Sequence, residues 1–243
     1  MRLDDFTMLG RTEPTESRTY GACVCSAGYS RELRQFIRIY PLPFPSSIPK
    51  WSRCTLPVRR PRGDSRVESW RIDTDGDTAF QAERAVNVFG KADKDAEFEW
   101  LKSMASPSIA DLNARRASLG IIAPSSMTWA FERRDNVDPA DQLTLFDRVE
   151  HAGTTHQSDL VPKVRFRDEH GPHRLSLKEW GCHEWLRKQR FNAEQLWSNL
   201  RFDDPSYEHL LFVGNQNNHR TSWLIISTVS RRKTSQLSLL EAA

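Results

Sequence analysis

The chain has 243 residues, 38% of them hydrophobic, including eight tryptophans and twelve phenylalanines, so it can bury a sizeable core without disulfides or metals. No apolar run approaches the roughly 20 residues of a membrane span, and the acidic opening MRLDDFTMLG is unlike the apolar stretch of a signal peptide. The expectation is a cytoplasmic protein without membrane contact, and a net charge of only +3 says little about its partners.

In chain order, residues 1–19 read as a polar lead-in. The first strong element is the small, β-prone run 20–28 (YGACVCSAG), followed by a polar turn at 29–34 and the β-branched, aromatic run 35–40 (QFIRIY), which together predict a hairpin. The proline-punctuated stretch 41–51 reads as neither a central strand nor a helix interior. A short extended piece at 55–58 leads into the basic segment 59–71. Asp73–Asp77 superficially resembles a calcium loop, but Thr78 and Arg84 occupy the places where that loop needs Gly and Glu, so it is read as a turn.

Residues 92–119 have helical texture, with Pro107 starting a second helix, and 120–136 return to strand character. The polar stretch 137–160 is read as an exposed loop or linker. Alternation in 161–167 (VPKVRFR), a turn at 168–172 and the run 173–177 predict a second hairpin. Helices are expected at 178–188 and 193–199, and closing strands at 210–214 and 222–229, joined by the turn 215–220. The class is α+β and β-rich: an OB-like barrel or hairpin-built sheets, with a few helices between and after them. The corresponding division is a β-rich, OB-like domain with a helical insert over 1–136, a linker over 137–160 and an α+β domain over 161–243.

Residues 22–44 (ACVCSAGYSRELRQFIRIYPLPF) resemble the opening of an uncharacterised prokaryotic family in which a "C-x-A-G" strand precedes an "IRIYP-x-PF" strand. Arg66–Arg71 (RVESWR), the stretch from His173 to Glu179-Trp180, and the late runs from Leu211 and Trp223 are similar to the same family. The opening also resembles that of dual OB-containing domain proteins. The family brings no established activity; the OB resemblance implies partly open barrels, whose faces commonly bind nucleic acid.

Cys23, Cys25, Cys54 and Cys182 match no zinc or redox spacing and are read as buried, reduced thiols. No metal and no cofactor is assigned. Arginine outnumbers lysine, which suits phosphate recognition and equally follows from a GC-rich genome. In 59–71, Arg59, Arg60, Arg62, Arg66 and Arg71 interleave with Trp70, as in a phosphate-contacting loop beside a stacking platform joined by Phe36 and Tyr40. A solvated loop with one arginine paired to Glu68 would carry the same residues.

A pentapeptide occurs twice, as Gln142, Leu143, Thr144, Leu145, Phe146 and as Gln236, Leu237, Ser238, Leu239, Leu240. Both resemble the Q-L-x-L-F peptide with which bacterial replication and repair proteins dock on the DNA sliding clamp, its leucines and final residue entering an apolar cleft. The alternative is that these side chains plug the protein's own core. His173, Glu179, His183 and His219 are the weak catalytic candidates, because a nuclease or other metal-assisted hydrolase would need such a cluster; no motif supports them. Whether the chain is an enzyme stays open, leaning against. The expected function is a nucleic-acid-binding accessory protein in DNA metabolism, repair or defence against phages and mobile elements, with DNA and the sliding clamp as partners. The alternatives are a nuclease and a protein-interaction subunit of a repair or defence complex; the sequence fixes no oligomeric state.

Overall fold

A computed structural model describes residues 1–17, 21–44, 46, 48–74, 79–133, 159–189, 192–217 and 219–233. It is half strand and 18% helix, which makes it α+β and β-rich, as expected. Five strands close a barrel: β1 (Arg2–Arg11), β3 (Gly21–Ser30), β4 (Gln35–Pro43), β6 (Ser69–Ile72) and β5 (Ser52–Arg59), with β5 returning to β1. Only the β4–β6 pair is parallel. This order, 1-2-3-5-4-1 over the five barrel strands, makes the barrel OB-like. The short β2 (Thr15–Ser17) pairs with β3, and β7 (Asn87–Lys91) pairs with β5 outside the closed ring. Leu3, Phe6, Met8, Val24, Ile37, Ile39, Leu42, Leu56 and Val58 fill the interior.

Two readings of the N-terminal third are corrected here. The opening of the chain is no lead-in: β1 pairs with β3 on one side and β5 on the other. It escapes detection because Asp4 and Asp5 interrupt its apolar run and both its partners are distant in sequence. The proline-rich stretch does not end the preceding strand at Tyr40, since β4 continues through Pro41 to Pro43, in register with Val24 and Cys23 of β3. The prolines are tolerated because β6 pairs with β4 only at Arg38 and Ile39, so β4 has an open edge beyond that point.

A three-stranded antiparallel sheet, β8 (Leu119–Ile122), β12 (Tyr207–Asn215) and β13 (Trp223–Arg232), lies against the outer face of β3 and β4. Both of its faces are buried. Leu119, Ile121, Leu210, Phe212, Leu224 and Ile226 meet Cys25, Ala27 and Tyr29 of the barrel. Ile122, Leu211, Val213, Trp223 and Ile225 point the other way. Burial on two sides explains why LLFV and WLII are continuous rather than alternating apolar runs. Where β1 crosses β13 the approach is so close that a Cβ on Gly10 would lie 2.5 Å from the Ser227 Cβ.

The third layer is the antiparallel sheet β11 (Gly171–Ser176), β10 (Leu160–Asp168) and β9 (Ser126–Arg133). Its inner face, with Val164, Phe166, Trp129 and Phe131, covers the far side of the central sheet together with α3 (Ile109–Ala114), α4 (Trp180–Lys188) and α5 (Gln195–Asn199). Helix α2 (Lys94–Ser103) sets Phe98 and Leu101 into the layer between barrel and central sheet, and Asp93 caps its first turn by accepting from the Asp95 and Ala96 amides. The fifth of the described helices is the short α1 (Ala79–Arg84). A boundary at 136 does not divide these layers: β8 hydrogen-bonds to β12 and β9 to β10, so residues 119–133 pack with the C-terminal strands. Among the described residues no helix is long and apolar enough to cross a membrane.

Candidate nucleic-acid interface

The arginine-rich segment 59–71 connects β5 to β6, and it divides into an anchored part and an outward part. Arg66 is buried; its guanidinium grips Asp64 through Nε and Nη2 and donates from Nη1 to the Asn215 carbonyl at 2.8 Å. Burial by itself would raise the Asp64 pKa, but the hydrogen bonds and charge of Arg66 outweigh it and hold the carboxyl down at about 2. Glu68, also buried, accepts from the Ser118 amide at 2.7 Å and its hydroxyl at 2.9 Å. Arg38, on the outer face of β4, is fully buried and donates to the Ser69 and Ser118 hydroxyls and the Ser118 carbonyl. Desolvation first, and the Arg66 charge second, pull the Arg38 pKa to about 10, so it stays charged at neutral pH. This polar node ties segment 59–71 to the residues before β8 and to the end of β12.

The outward part is small. Arg60 stacks over Trp70, 3.7 Å from the ring centroid, and Arg59 pairs with Asp73 at 3.3 Å. Arg62 is exposed and makes no hydrogen bond or ion pair among the described residues. The turn 215–222 lies alongside: Asn217 donates to the Gly63 carbonyl and Arg220 to the Ser65 hydroxyl. Arg60, Arg62 and Arg220 thus form one exposed basic rim. Arg71 is half-buried.

The assignment of Arg66 and Trp70 as contact residues is therefore corrected. Arg66 is spent on Asp64 and Asn215, and Trp70 is 7% exposed with Arg60 across its face, leaving no ring open to a base. Phe36 and Tyr40 are half-buried: Phe36 packs on Phe212 and Tyr29, and the Tyr40 hydroxyl accepts from Cys23 Sγ. The β3–β4 outer face, where OB barrels commonly take nucleic acid, is occupied by the central sheet.

The catalytic candidates stand in separate structural contacts. His173 Nε2 lies 2.8 Å from Asp168, on the β10–β11 hairpin. Glu179 binds Lys50, Ser227 and Thr228. His183 is fully buried between the Leu177 carbonyl and Glu13, whose other oxygen holds the buried Lys178. His219 is exposed in the 215–222 turn. Among the described residues no group of three or more His, Cys, Asp and Glu could hold a metal ion. All four cysteines are buried free thiols, and burial raises Cys25 to about 12 and Cys54 to about 11 and pushes Cys182 up as well, which disfavours the thiolate at these three. The pentapeptides at 142–146 and 236–240 lie outside the described residues.

One basic surface was not singled out from the sequence. The outer face of the β9–β10–β11 sheet presents Arg165, Arg167 and Arg174, with Ser126 and Thr128 beside them, around a shallow cavity of about 350 Å³. The signal was available: period-2 alternation in VPKVRFRD puts Lys163, Arg165 and Arg167 on one face, and the hairpin register sets Arg174 opposite Arg165.

A family model, that of a domain of unknown function (DUF8758), matches residues 4–102, which span the barrel and α2 but less than half of the chain. No curated protein matches the chain.

Proposed function

We propose that the protein is a nucleic-acid-binding accessory factor of DNA metabolism, acting in repair or in defence against phages and mobile elements, and that it contacts the sugar-phosphate backbone through loops rather than through the barrel face. The observation that supports this reading most is the rim made by Arg60, Arg62 and Arg220, on a β5–β6 connection that a buried polar node holds in place. A pre-ordered loop loses little conformational entropy on binding, and exposed guanidinium groups suit phosphate oxygens. With the aromatic side chains of this region packed inside, the contacts supply affinity and position rather than base readout. In the same proposal the 236–240 peptide tethers the protein to the sliding clamp, since its Q-L-S-L-L pattern offers the anchors that an apolar cleft takes.

The test is fluorescence anisotropy of the full chain with labelled single- and double-stranded oligonucleotides across a salt series. We expect affinity to fall steeply with salt, and Arg60→Ala/Arg62→Ala to weaken binding to unrelated sequences alike while flattening the salt slope by about one to two. No binding at low salt, or an unchanged slope in the variant, would overturn the assignment of this rim. Gel filtration with purified clamp checks the tether: a complex should form with the full chain and disappear when residues 236–243 are removed.

A further inference from the structure

We infer that the outer face of the β9–β10–β11 sheet is a second backbone-binding surface, in which Arg165, Arg167 and Arg174 ligate the phosphates of a single-stranded nucleic acid. The inference rests on the nucleic-acid reading above and adds a site to it.

The register builds this face. Arg165 stands directly opposite Arg174 on β11 and Thr128 on β9, and Arg167 opposite Pro172 and Ser126. Two positions along β10 in the other direction the exposed face ends, since Lys163, between Ser176 and Ala130, is fully buried. Like charges placed directly across an antiparallel pair destabilise it. The acid that answers them is Glu132, which pairs with Arg174 and lies 3.8 Å from Lys163. Arg165 and Arg167 are exposed, and their side chains make no hydrogen bond or ion pair among the described residues. Three exposed arginines beside one carboxylate, counted among the described residues, is an arrangement that a bound polyanion stabilises.

The chemistry of the face selects the polyanion. Apart from the cations it offers two hydroxyls, Ser126 and Thr128, and only Ala130 and Pro172 as exposed apolar contacts. A protein partner would want a desolvated aromatic or aliphatic anchor at the centre of its interface. A phosphodiester backbone wants forked donors and hydroxyls, with no apolar anchor. Arg165 and Arg167 are two residues apart on one strand, so their Cα atoms stand about 6.6 Å apart, and long side chains on that spacing reach successive phosphates of one flexible strand. The arginines sit on the flat face of a three-stranded sheet rather than on a helix that could enter a duplex groove. Rigidity comes from below: Trp129, Phe131, Trp197 and Phe202 stack beneath the sheet, and Asp168 closes the hairpin by accepting from the His170 and Gly171 amides.

The experiment titrates the full chain with a labelled single-stranded oligothymidylate across a salt series, comparing the wild type with Arg165→Ala/Arg167→Ala/Arg174→Ala and with Arg60→Ala/Arg62→Ala. We expect the sheet variant to lose about tenfold or more in affinity and to flatten the salt slope by about two, on the basis of roughly 0.7 per phosphate contact on a single strand. Arg165→Lys/Arg167→Lys, which keeps the charge and cannot misfold a solvent-exposed face, should retain most of that slope. Wild-type binding that the sheet substitutions leave unchanged overturns this surface while the loop reading stands. Absence of any oligonucleotide binding by the wild type overturns both. Competition by polyglutamate as effective as that by unlabelled oligonucleotide, or tighter binding of duplex than of single strand through these arginines, also overturns it, by reassigning the face to an acidic protein or to double-stranded nucleic acid.

Discussion

Two sheet faces in this molecule carry arginine at outward strand positions, and they have opposite fates. The outer face of β3 and β4 presents Tyr29, Phe36, Arg38 and Tyr40 to a second sheet; Arg38 is wholly inside, with Nη1 and Nη2 donating to Ser69 and Ser118. The outer face of β9, β10 and β11 is buried at Val161, Lys163 and Ser176 but exposed from Arg165 onward, and Arg165 and Arg167 make no side-chain hydrogen bond or ion pair among the described residues. An identical local pattern, a cation between two β-branched or aromatic neighbours, thus yields a structural clasp in one place and a candidate binding surface in the other. The difference lies in aromatic payload: the covered face contributes rings that need burial, whereas the open one contributes hydroxyls and charge.

The comparison breaks most sharply at Arg38. Arg38→Met should cost about 3–5 kcal/mol, because it strands buried polar groups that the guanidinium now satisfies, whereas Arg165→Met should leave stability within about 0.5 kcal/mol. Denaturant unfolding of the two variants checks this, and equal losses would erase the distinction between the faces. Phe212→Ala, which opens a cavity where the central sheet meets Phe36 on the covered barrel face, should cost about 3–5 kcal/mol; a smaller loss would mean that the two layers are held together chiefly by the polar node.

The smallest effect sharpens the link between the clasp and the loop it holds. The Asp64 carboxyl is held down at about 2, below its ordinary value, so its contribution is complete above about pH 4 and is lost as pH falls through about 2. Asp64→Asn should therefore be less stable than the wild type near neutrality, with the gap in melting temperature closing between about pH 4 and about pH 2. A gap that persists in acid would show that Asp64 acts through something other than its charge.

The sequence by itself determined the strand pairs that are local. Both hairpins, β3–β4 and β10–β11, follow from alternating runs around polar turns, and the apolar runs of β12 and β13 identify strands covered on both sides. The β-rich, OB-like class was expected, and the closed barrel bears it out. β1 was not legible, because its ladder partners lie about 20 and 50 residues away and its own pattern is broken by Asp4 and Asp5. The candidate site was legible only as an excess of arginine. Alternation tells which residues share a face, and it is silent about what that face meets. Only tertiary packing decided that Arg38 and Arg66 are buried under the stacked β8–β12–β13 sheet, that Trp70 joins the barrel core, and that Arg62, Arg165 and Arg167 stay exposed, since burial is a property of two surfaces and each strand encodes one.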